Sequence, residues 1–197
     1  MRKILAISLT LAFGLTALAA VPVMAEDFEG DQSYIGNTTI GADDTVKGNV
    51  TITNGKLTVL GTIEGNVLQL GSNGVVVDGD GIVEGNIDEK SGGWVTVKDK
   101  GIVEGNIAER GNGSVSTSGE SLVKGNVSER SETVDPFGHD DVTIGGKSLV
   151  EGNVSEKDAG DVTVTKDAFV KCNVKERGPG NCDAVVKSSV DGNVRCR

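Results

Sequence analysis

One short motif recurs along this chain and constrains its fold more than any other feature of the sequence. It reads β-branched residue, any residue, Gly, Asn, β-branched residue, with Cys in place of Gly in one copy. Repetition of this kind indicates stacked structural units, because a single unit cannot bury its own apolar face. The copies lie 17, 20, 20, 20, 27, 20 and 20 residues apart, and their Asn residues are Asn49, Asn66, Asn86, Asn106, Asn126, Asn153, Asn173 and Asn193.

Alignment of the repeats reveals columns of apolar residues. A β-branched residue lies two positions before and two positions after the Gly, as Val103 and Ile107 do, and apolar pairs such as Val95 and Val97 lie eight and ten positions before it. These positions share one parity, which is typical of strands with one buried face. Identical side chains return once per repeat, which favours parallel stacking over hairpins. The sequence therefore predicts an all-β parallel β-solenoid over 35–197, with about eight coils of ~20 residues.

Each coil is expected to contain one short strand, a corner and one longer strand, such as 95–97 followed by 101–108.

Before the repeats, Arg2 and Lys3 precede an apolar run, and small residues near Ala25 supply a cleavage site. This arrangement predicts a signal peptide over 1–25. A membrane anchor is the alternative, although the run is short for a spanning helix. Residues 26–34 are expected to form an N-terminal linker or cap.

Composition narrows the possible functions of the chain. The net charge of −10 argues against nucleic-acid partners, because binding phosphates requires an excess of Lys and Arg. His139 is the single histidine and stands beside the insertion 132–138, so no nucleophile–base pair or zinc site is indicated. We therefore expect a non-enzymatic protein without a cofactor.

Calcium is the one cation left open by the sequence. Acidic turns offer hard oxygen ligands of the kind that calcium prefers. Such turns are also ordinary in an acidic solenoid, and no known calcium-loop motif accompanies them. The turns in question contain Asp43 and Asp44, Asp78 and Asp80, and Asp140 and Asp141.

The repeated Asn has two interpretations. It stands at a bend and forms a ladder of stacked amides along the solenoid, or it forms an exposed polar stripe that contacts a ligand. The sequence favours the amide ladder.

Two charged columns follow each copy of the motif. The first contains Glu89, Glu109, Glu129, Glu156 and Glu176, and the second contains Lys90, Arg110, Arg130, Lys157, Arg177 and Arg197. Stacked like charges repel one another, and the adjacent cations are expected to offset that repulsion. A solvated salt-bridge ladder is the favoured interpretation, and a docking edge is the alternative.

The three cysteines lie near the C-terminus, at Cys172, Cys182 and Cys196. Cys196 lies one coil beyond Glu176, and Cys182 follows Glu176 across a short loop, which predicts a Cys182–Cys196 disulfide and a free Cys172. The Cys172–Cys182 pair is the alternative. Cys172 to Cys196 spans about 13 Å by strand rise, which is too far for a bond.

The stretch from Val95 to Ile107, VTVKDKGIVEGNI, resembles the repeat of bactofilins, and so does Leu57 to Val67. This resemblance covers about 35–197 and implies a right-handed β-helix that polymerises end to end without nucleotide. The chain departs from that family in its predicted signal peptide and its C-terminal cysteines.

These observations together predict a secreted or periplasmic bacterial structural protein. It is expected to self-associate or to pack with a polysaccharide or protein of the cell envelope, and to have no membrane span after signal cleavage. A surface adhesin or polysaccharide-binding module is the alternative. A polysaccharide-active enzyme and an ice binder are further alternatives.

Overall fold

The structure, a computed structural model, describes residues 25–131, 140–182, 186 and 189–196. Most of the predicted signal peptide, the insertion 132–138, His139 and Arg197 lie outside this part of the chain. The described residues wind into a β-solenoid of about eight turns with about 20 residues per turn, as the repeat predicted. They contain no helix that is long and apolar enough to cross a membrane.

Three parallel sheets, here called A, B and C, form the sides of the solenoid, and each coil before the last two adds one strand to each sheet. Sheet A contains eight strands, in the order β1 (Asp27–Glu29), β4 (Thr45–Lys47), β7 (Thr62–Ile63), β10 (Ile82–Val83), β13 (Ile102–Val103), β16 (Leu122–Val123), β19 (Leu149–Val150) and β22 (Phe169–Val170).

Sheet B follows the Gly-Asn step of each repeat and carries the polar ladders described below. It contains nine strands, in the order β2 (Gln32–Ile35), β5 (Val50–Thr53), β8 (Val67–Gln69), β11 (Ile87–Glu89), β14 (Ile107–Glu109), β17 (Val127–Glu129), β20 (Val154–Glu156), β23 (Val174–Glu176) and β24 (Val194–Arg195).

Sheet C precedes the corner of each coil. From the N-terminal end it contains seven strands, namely β3 (Thr38–Ile40), β6 (Leu57–Val59), β9 (Val75–Val77), β12 (Val95–Val97), β15 (Val115–Thr117), β18 (Val142–Ile144) and β21 (Val162–Val164). The pairing is in register throughout, so that Val95 lies between Val75 and Val115.

The coil differs from the sequence expectation in one respect. The longer strand expected over 101–108 is two strands, β13 and β14, which belong to different sheets. The chain bends between them at Gly105 and Asn106. A Cβ on the equivalent Gly85 would lie 2.5 Å from the carbonyl oxygen of Gly65, so the bend packs backbone against backbone and leaves no room for a side chain.

The solenoid also begins earlier than the sequence indicated. Strand β1 and most of β2 lie within 26–34, where a linker or cap was expected, and both strands pair with the next coil. Phe28 aligns with Val46, and Gln32 aligns with Val50. The first coil lacks β-branched residues at these positions, which explains why the repeat pattern did not reveal it.

Thin layers of aliphatic side chains fill the interior. Val103, Ile107, Val95 and Val97 are fully buried, as are their equivalents in the neighbouring coils. Each such side chain contributes about 1.5–3 kcal/mol when it is removed from water. The same inward parity also buries a column of glutamates at the end of the sheet B strands.

Candidate functional site: two polar ladders on sheet B

The repeated Asn residues form a continuous hydrogen-bonded column, the asparagine ladder, at the start of the sheet B strands. Each Asn Oδ1 accepts two hydrogen bonds from the next coil, one from the backbone N–H and one from the side-chain Nδ2. Between Asn106 and Asn86 these distances are 2.8 and 2.9 Å. The same pattern joins Asn49, Asn66, Asn86, Asn106, Asn126, Asn153, Asn173 and Asn193.

The two ends of the asparagine ladder differ. At the N-terminal end Asp31 occupies the Asn position, and its Oδ1 accepts from the backbone N–H and Nδ2 of Asn49 at 2.8 and 2.9 Å. At the C-terminal end Asn193 donates to Asn173, but its own Oδ1 accepts no hydrogen bond from the described residues. The ladder therefore has a direction, with an acceptor-only residue at one end and a free acceptor at the other.

The glutamates form a second column, the glutamate column, at the opposite end of the same strands. All five are buried, with relative exposure of 2% or less, so the predicted solvated salt-bridge ladder is wrong. They lie two residues beyond a buried β-branched residue, and the strand alternation turns them inward. The column contains Glu89, Glu109, Glu129, Glu156 and Glu176, and it continues Ile52 and Gln69 of the earlier coils.

The neighbouring cations do not offset the charges of the glutamate column. Among the described residues, Lys90 and Arg110 pair with Asp88 on the outer face, at 3.4 and 3.2 Å, and no ion pair includes a glutamate of the column. A docking edge built on these glutamates is excluded for the same reason, because they do not reach the surface.

Most of the glutamates instead accept hydrogen bonds from the backbone of the turn that follows them. Both oxygens of Glu89 have such a partner, since they accept from the N–H groups of Ser91 and Gly92 at 3.1 Å. Glu109 accepts from Gly111 at 2.8 Å and leaves its second oxygen without a partner. The glutamates thus close the turns, which is a structural use that the sequence analysis did not identify.

Burial raises the pKa of several carboxyl groups in the glutamate column. Burial, and then the neighbouring carboxyl group of Glu89, raise the pKa of Glu109 to about 8. Burial and the charge of Asp158 raise the pKa of Glu129 to about 12. Burial and the neighbouring carboxyl group of Glu176 raise the pKa of Glu156 to about 9. These groups therefore favour a neutralised state at physiological pH.

Three carboxylates converge at one level of the glutamate column. The ligand oxygens of Glu129, Glu156 and Asp158 all lie within 4.8 Å of one another. Within the described residues, no other set of three His, Cys, Asp or Glu side chains meets in this way. The sequence analysis did not connect these residues, because Asp158 belongs to a turn and the glutamates were assigned to the surface.

The acidic turns that the sequence offered for calcium are involved in local contacts. Asp44 accepts from the backbone N–H of Gly41 at 2.9 Å, and Asp78 pairs with Lys98 at 2.7 Å. Asp141 accepts from the N–H of Asp161 at 2.8 Å. These hydrogen bonds and this ion pair stabilise corners of the coil.

A disulfide joins Cys182 to Cys196, with a Cα–Cα distance of 5.9 Å, and Cys172 is free. This is the pairing that the sequence predicted. Cys196 continues the column of Glu176 into the last coil, and Cys182 is buried beside it. The bond ties the last described coil to the turn before it, and it is compatible with an oxidising extracellular or periplasmic environment.

Comparisons with protein-family models, with curated proteins and with solved structures found no match to this chain. The resemblance to bactofilins therefore rests on the repeat alone, and the function must be inferred from the geometry of the solenoid.

Proposed function

We propose that the mature chain is a non-enzymatic structural protein of the bacterial cell envelope that self-associates end to end. The observation that carries this proposal is the state of the solenoid ends. Strands β1, β2 and β3 have no partner on their N-terminal side among the described residues, and β24 has none beyond it. Unpaired strand edges template further pairing, and no described segment covers these edges.

Partly exposed apolar residues at both ends support the same proposal. Phe28 and Tyr34 in the first coil, and Val194 in the last, continue the inward columns but are only partly buried. A second copy stacked on either end would cover this apolar surface, as each coil covers its neighbour within the solenoid.

The charges at the two ends favour head-to-tail contact. From Ala25 to Val46 the chain contains acidic residues and no Lys or Arg. Half-buried Lys175 and exposed Arg177 and Arg195 lie near one another around a surface recess of the last coils. Opposite charges attract the two ends of different copies, whereas head-to-head contact brings acidic residues together.

The proposed location is the periplasm or the cell exterior. The predicted signal peptide and the disulfide support it. Association without a nucleotide is also part of the proposal, in line with the resemblance to bactofilins.

Sedimentation and negative-stain microscopy of the mature protein test the proposal. We expect rods longer than the about 38 Å that eight coils span at ~4.8 Å each. Arg195→Glu and Glu26→Lys each reverse a charge at one end and should shorten the rods. Lys100→Glu, on an exposed corner in the middle of the solenoid, is the matched control and should leave rod length unchanged.

Combining Arg195→Glu with Glu26→Lys in one chain should shorten the rods further than either change alone, because each change reduces the charge difference between the two ends. A strictly monomeric wild type at high concentration and physiological salt would contradict the proposal. Equal rod lengths in all variants would contradict the head-to-tail arrangement.

A polysaccharide-binding module is the second candidate, and a shallow groove of about 460 Å³ on sheet B favours it. Asn66, Asn86 and Asn106 line the groove together with Leu68 and Lys90. The ladder already uses each Asn Oδ1 twice and one Nδ2 hydrogen, so these amides retain little capacity for a sugar. Short rods of uniform length that bind an envelope polysaccharide would favour this candidate over assembly.

A further inference from the structure

The convergence of Glu129, Glu156 and Asp158 is unlike any other level of the glutamate column. Glu129 ends β17 and Glu156 ends β20, which is the next strand of sheet B. Asp158 follows in the turn after β20. The carboxylate oxygens of all three residues lie within 4.8 Å of one another, which matches the spacing of oxygens around a single cation.

Several of these oxygens have no hydrogen-bond partner. Glu129 is fully buried, and neither of its carboxylate oxygens has a partner among the described residues. Glu156 Oε1 accepts from the N–H of Asp158 at 2.6 Å, but its Oε2 is unpartnered. Asp158 accepts from the N–H of Ser131 with one oxygen, and its Oδ1 is also unpartnered.

Buried carboxylates without partners are costly, and three together are more so. Transfer of a single ionised carboxylate from water to the protein interior is strongly unfavourable unless an opposite charge compensates it. The ion pairs of the described residues lie on the outer face and include none of these three groups. A cation or shared protons must therefore neutralise the cluster.

We propose that Glu129, Glu156 and Asp158 form a calcium-binding site inside the solenoid wall. All donors are hard oxygens, and neither His nor Cys is among them, which favours calcium over zinc and other transition metals. Calcium accepts irregular arrangements of carboxylates, whereas magnesium keeps several waters in a strict octahedron.

The half-buried position of Asp158 gives the ion a route to the site from the turn. The site crosslinks two neighbouring coils through side chains, where the backbone ladder of sheet B ends. It does not depend on end-to-end association, because every ligand belongs to one chain.

Calcium titration of the mature protein, stripped of metal with EDTA, tests the site. Calorimetry at pH 8 should detect a site at Glu129, Glu156 and Asp158. About 10 mM calcium exceeds the ~10⁻⁴–10⁻³ M dissociation constants of extracellular modules. At that concentration the melting temperature should rise by about 5 °C or more, because a ligand that binds only the native state stabilises it.

Glu129→Gln and Asp158→Asn preserve side-chain shape and remove one charge each. Both variants should weaken calcium binding at least tenfold, and Glu129→Gln should melt above wild type in EDTA at pH 8, because the buried amide is neutral whereas the buried carboxyl must take up a proton on folding. Glu89→Gln is the matched control. It lies in the same column, but backbone N–H groups already satisfy both of its oxygens, so its calcium response should equal that of wild type.

Two outcomes would overturn the proposal. One is a folded, metal-free wild type that shows neither calcium binding nor a rise in melting temperature. The other is calcium binding that is equally strong in wild type, Glu129→Gln and Asp158→Asn, which would assign the ion to a different part of the chain. Circular dichroism of each variant establishes that it is folded before the titration.

Discussion

The asparagine ladder and the glutamate column occupy the two ends of the same sheet B strands. Both stack identical polar residues, but the two columns obtain their hydrogen bonds in opposite ways. An amide both donates and accepts, so each Asn satisfies the next, and the column closes without help. An ionised carboxylate only accepts. The glutamates therefore depend on turn N–H groups, on protons or, as proposed above, on a cation.

Gln69 shows what an amide does within the glutamate column. It is buried in line with Glu89, and its Nε2 donates to the carbonyl oxygens of Gly55 and Gly71, at 2.5 and 2.9 Å. The difference between the two columns thus follows from the chemistry of the side chain as well as from its position. Stacking repeats the contacts of one side chain along the whole column, which stabilises a column of amides and destabilises a column of carboxylates.

The largest loss of stability is expected where a substitution places a carboxylate in the interior, away from any turn whose N–H groups could donate to it. Val103→Asp places a charge among aliphatic residues of sheet A, far from the backbone N–H groups that serve the glutamates. It loses about 1.5–3 kcal/mol of apolar burial and adds the cost of an unpaired charge, so unfolding in urea should show a loss above about 4 kcal/mol.

Ile102→Asp, on the half-buried outer side of the same strand, is the control and should cost much less. A Val103→Asp protein that melts cooperatively near the wild-type temperature would refute the inward assignment of this column.

A smaller loss is expected when the amide ladder receives a carboxylate. Asn106→Asp removes the donor to Asn86 Oδ1 and sets two acceptors against each other. We expect a loss of about 1–2 kcal/mol at pH 7, since hydrogen bonds of this type contribute about 0.5–1.5 kcal/mol each. Protonation restores a donor, so the loss relative to wild type should shrink near pH 3. A variant as stable as wild type at pH 7 would mean that the ladder contributes little.

The contrast between the columns also separates what the sequence predicted from what it did not. The β-branched columns predicted parallel stacking because identical side chains return once per repeat, and the recurring Asn predicted its ladder. The glutamates share the inward parity of the β-branched residues, but their charge favoured a position on the surface. Ile52 and Gln69 at the same column position were the signal that could have placed them inside.

Other features had weaker signals or none. The bend between β13 and β14 follows from the close approach of neighbouring Gly backbones, which a pattern of side chains does not encode. The first coil was missed because Phe28 and Gln32 replace β-branched residues. The cluster of Glu129, Glu156 and Asp158 joins a strand end to a turn across coils, and the sequence spacing of 27 residues between the two glutamates conceals it.

The pH dependence of stability also distinguishes the glutamate column from the asparagine ladder. Folding raises the pKa of Glu109, Glu129 and Glu156, so the folded chain keeps protons that the unfolded chain releases. Stability is then fully present below the ordinary glutamate pKa near 4.5 and is lost as pH rises toward about 8 and 9. In EDTA, the melting temperature should fall by several degrees between pH 4.5 and pH 9.

Glu109→Gln sharpens this test because it replaces one carboxyl by the amide seen at Gln69. It keeps an acceptor for the N–H of Gly111 and should stabilise the protein by about 1–2 kcal/mol at pH 8, the cost of an unsatisfied buried polar group. The pH slope should become shallower. A melting temperature that rises steadily with pH in wild type would be inconsistent with neutral carboxyls in the glutamate column.

The smallest effect on stability, and the most informative for assembly, is expected from Asp31→Asn at the start of the asparagine ladder. The substituted amide keeps an Oδ1 that accepts from Asn49, so the free energy of unfolding should change by less than about 1 kcal/mol.

The effect of Asp31→Asn on association should be larger than its effect on stability. In head-to-tail stacking, Asp31 faces Asn193 Oδ1 of the next copy, and two acceptors meet. The amide introduced by Asp31→Asn would donate its Nδ2 there and extend the ladder across the junction, so association should begin at a lower protein concentration. Sedimentation of both proteins at equal concentration measures this, with Asp88→Asn on an outer face in the middle of the solenoid as the charge-matched control. If Asp31→Asn and Asp88→Asn associate equally, loss of one negative charge is sufficient, and the ladder takes no part in the junction.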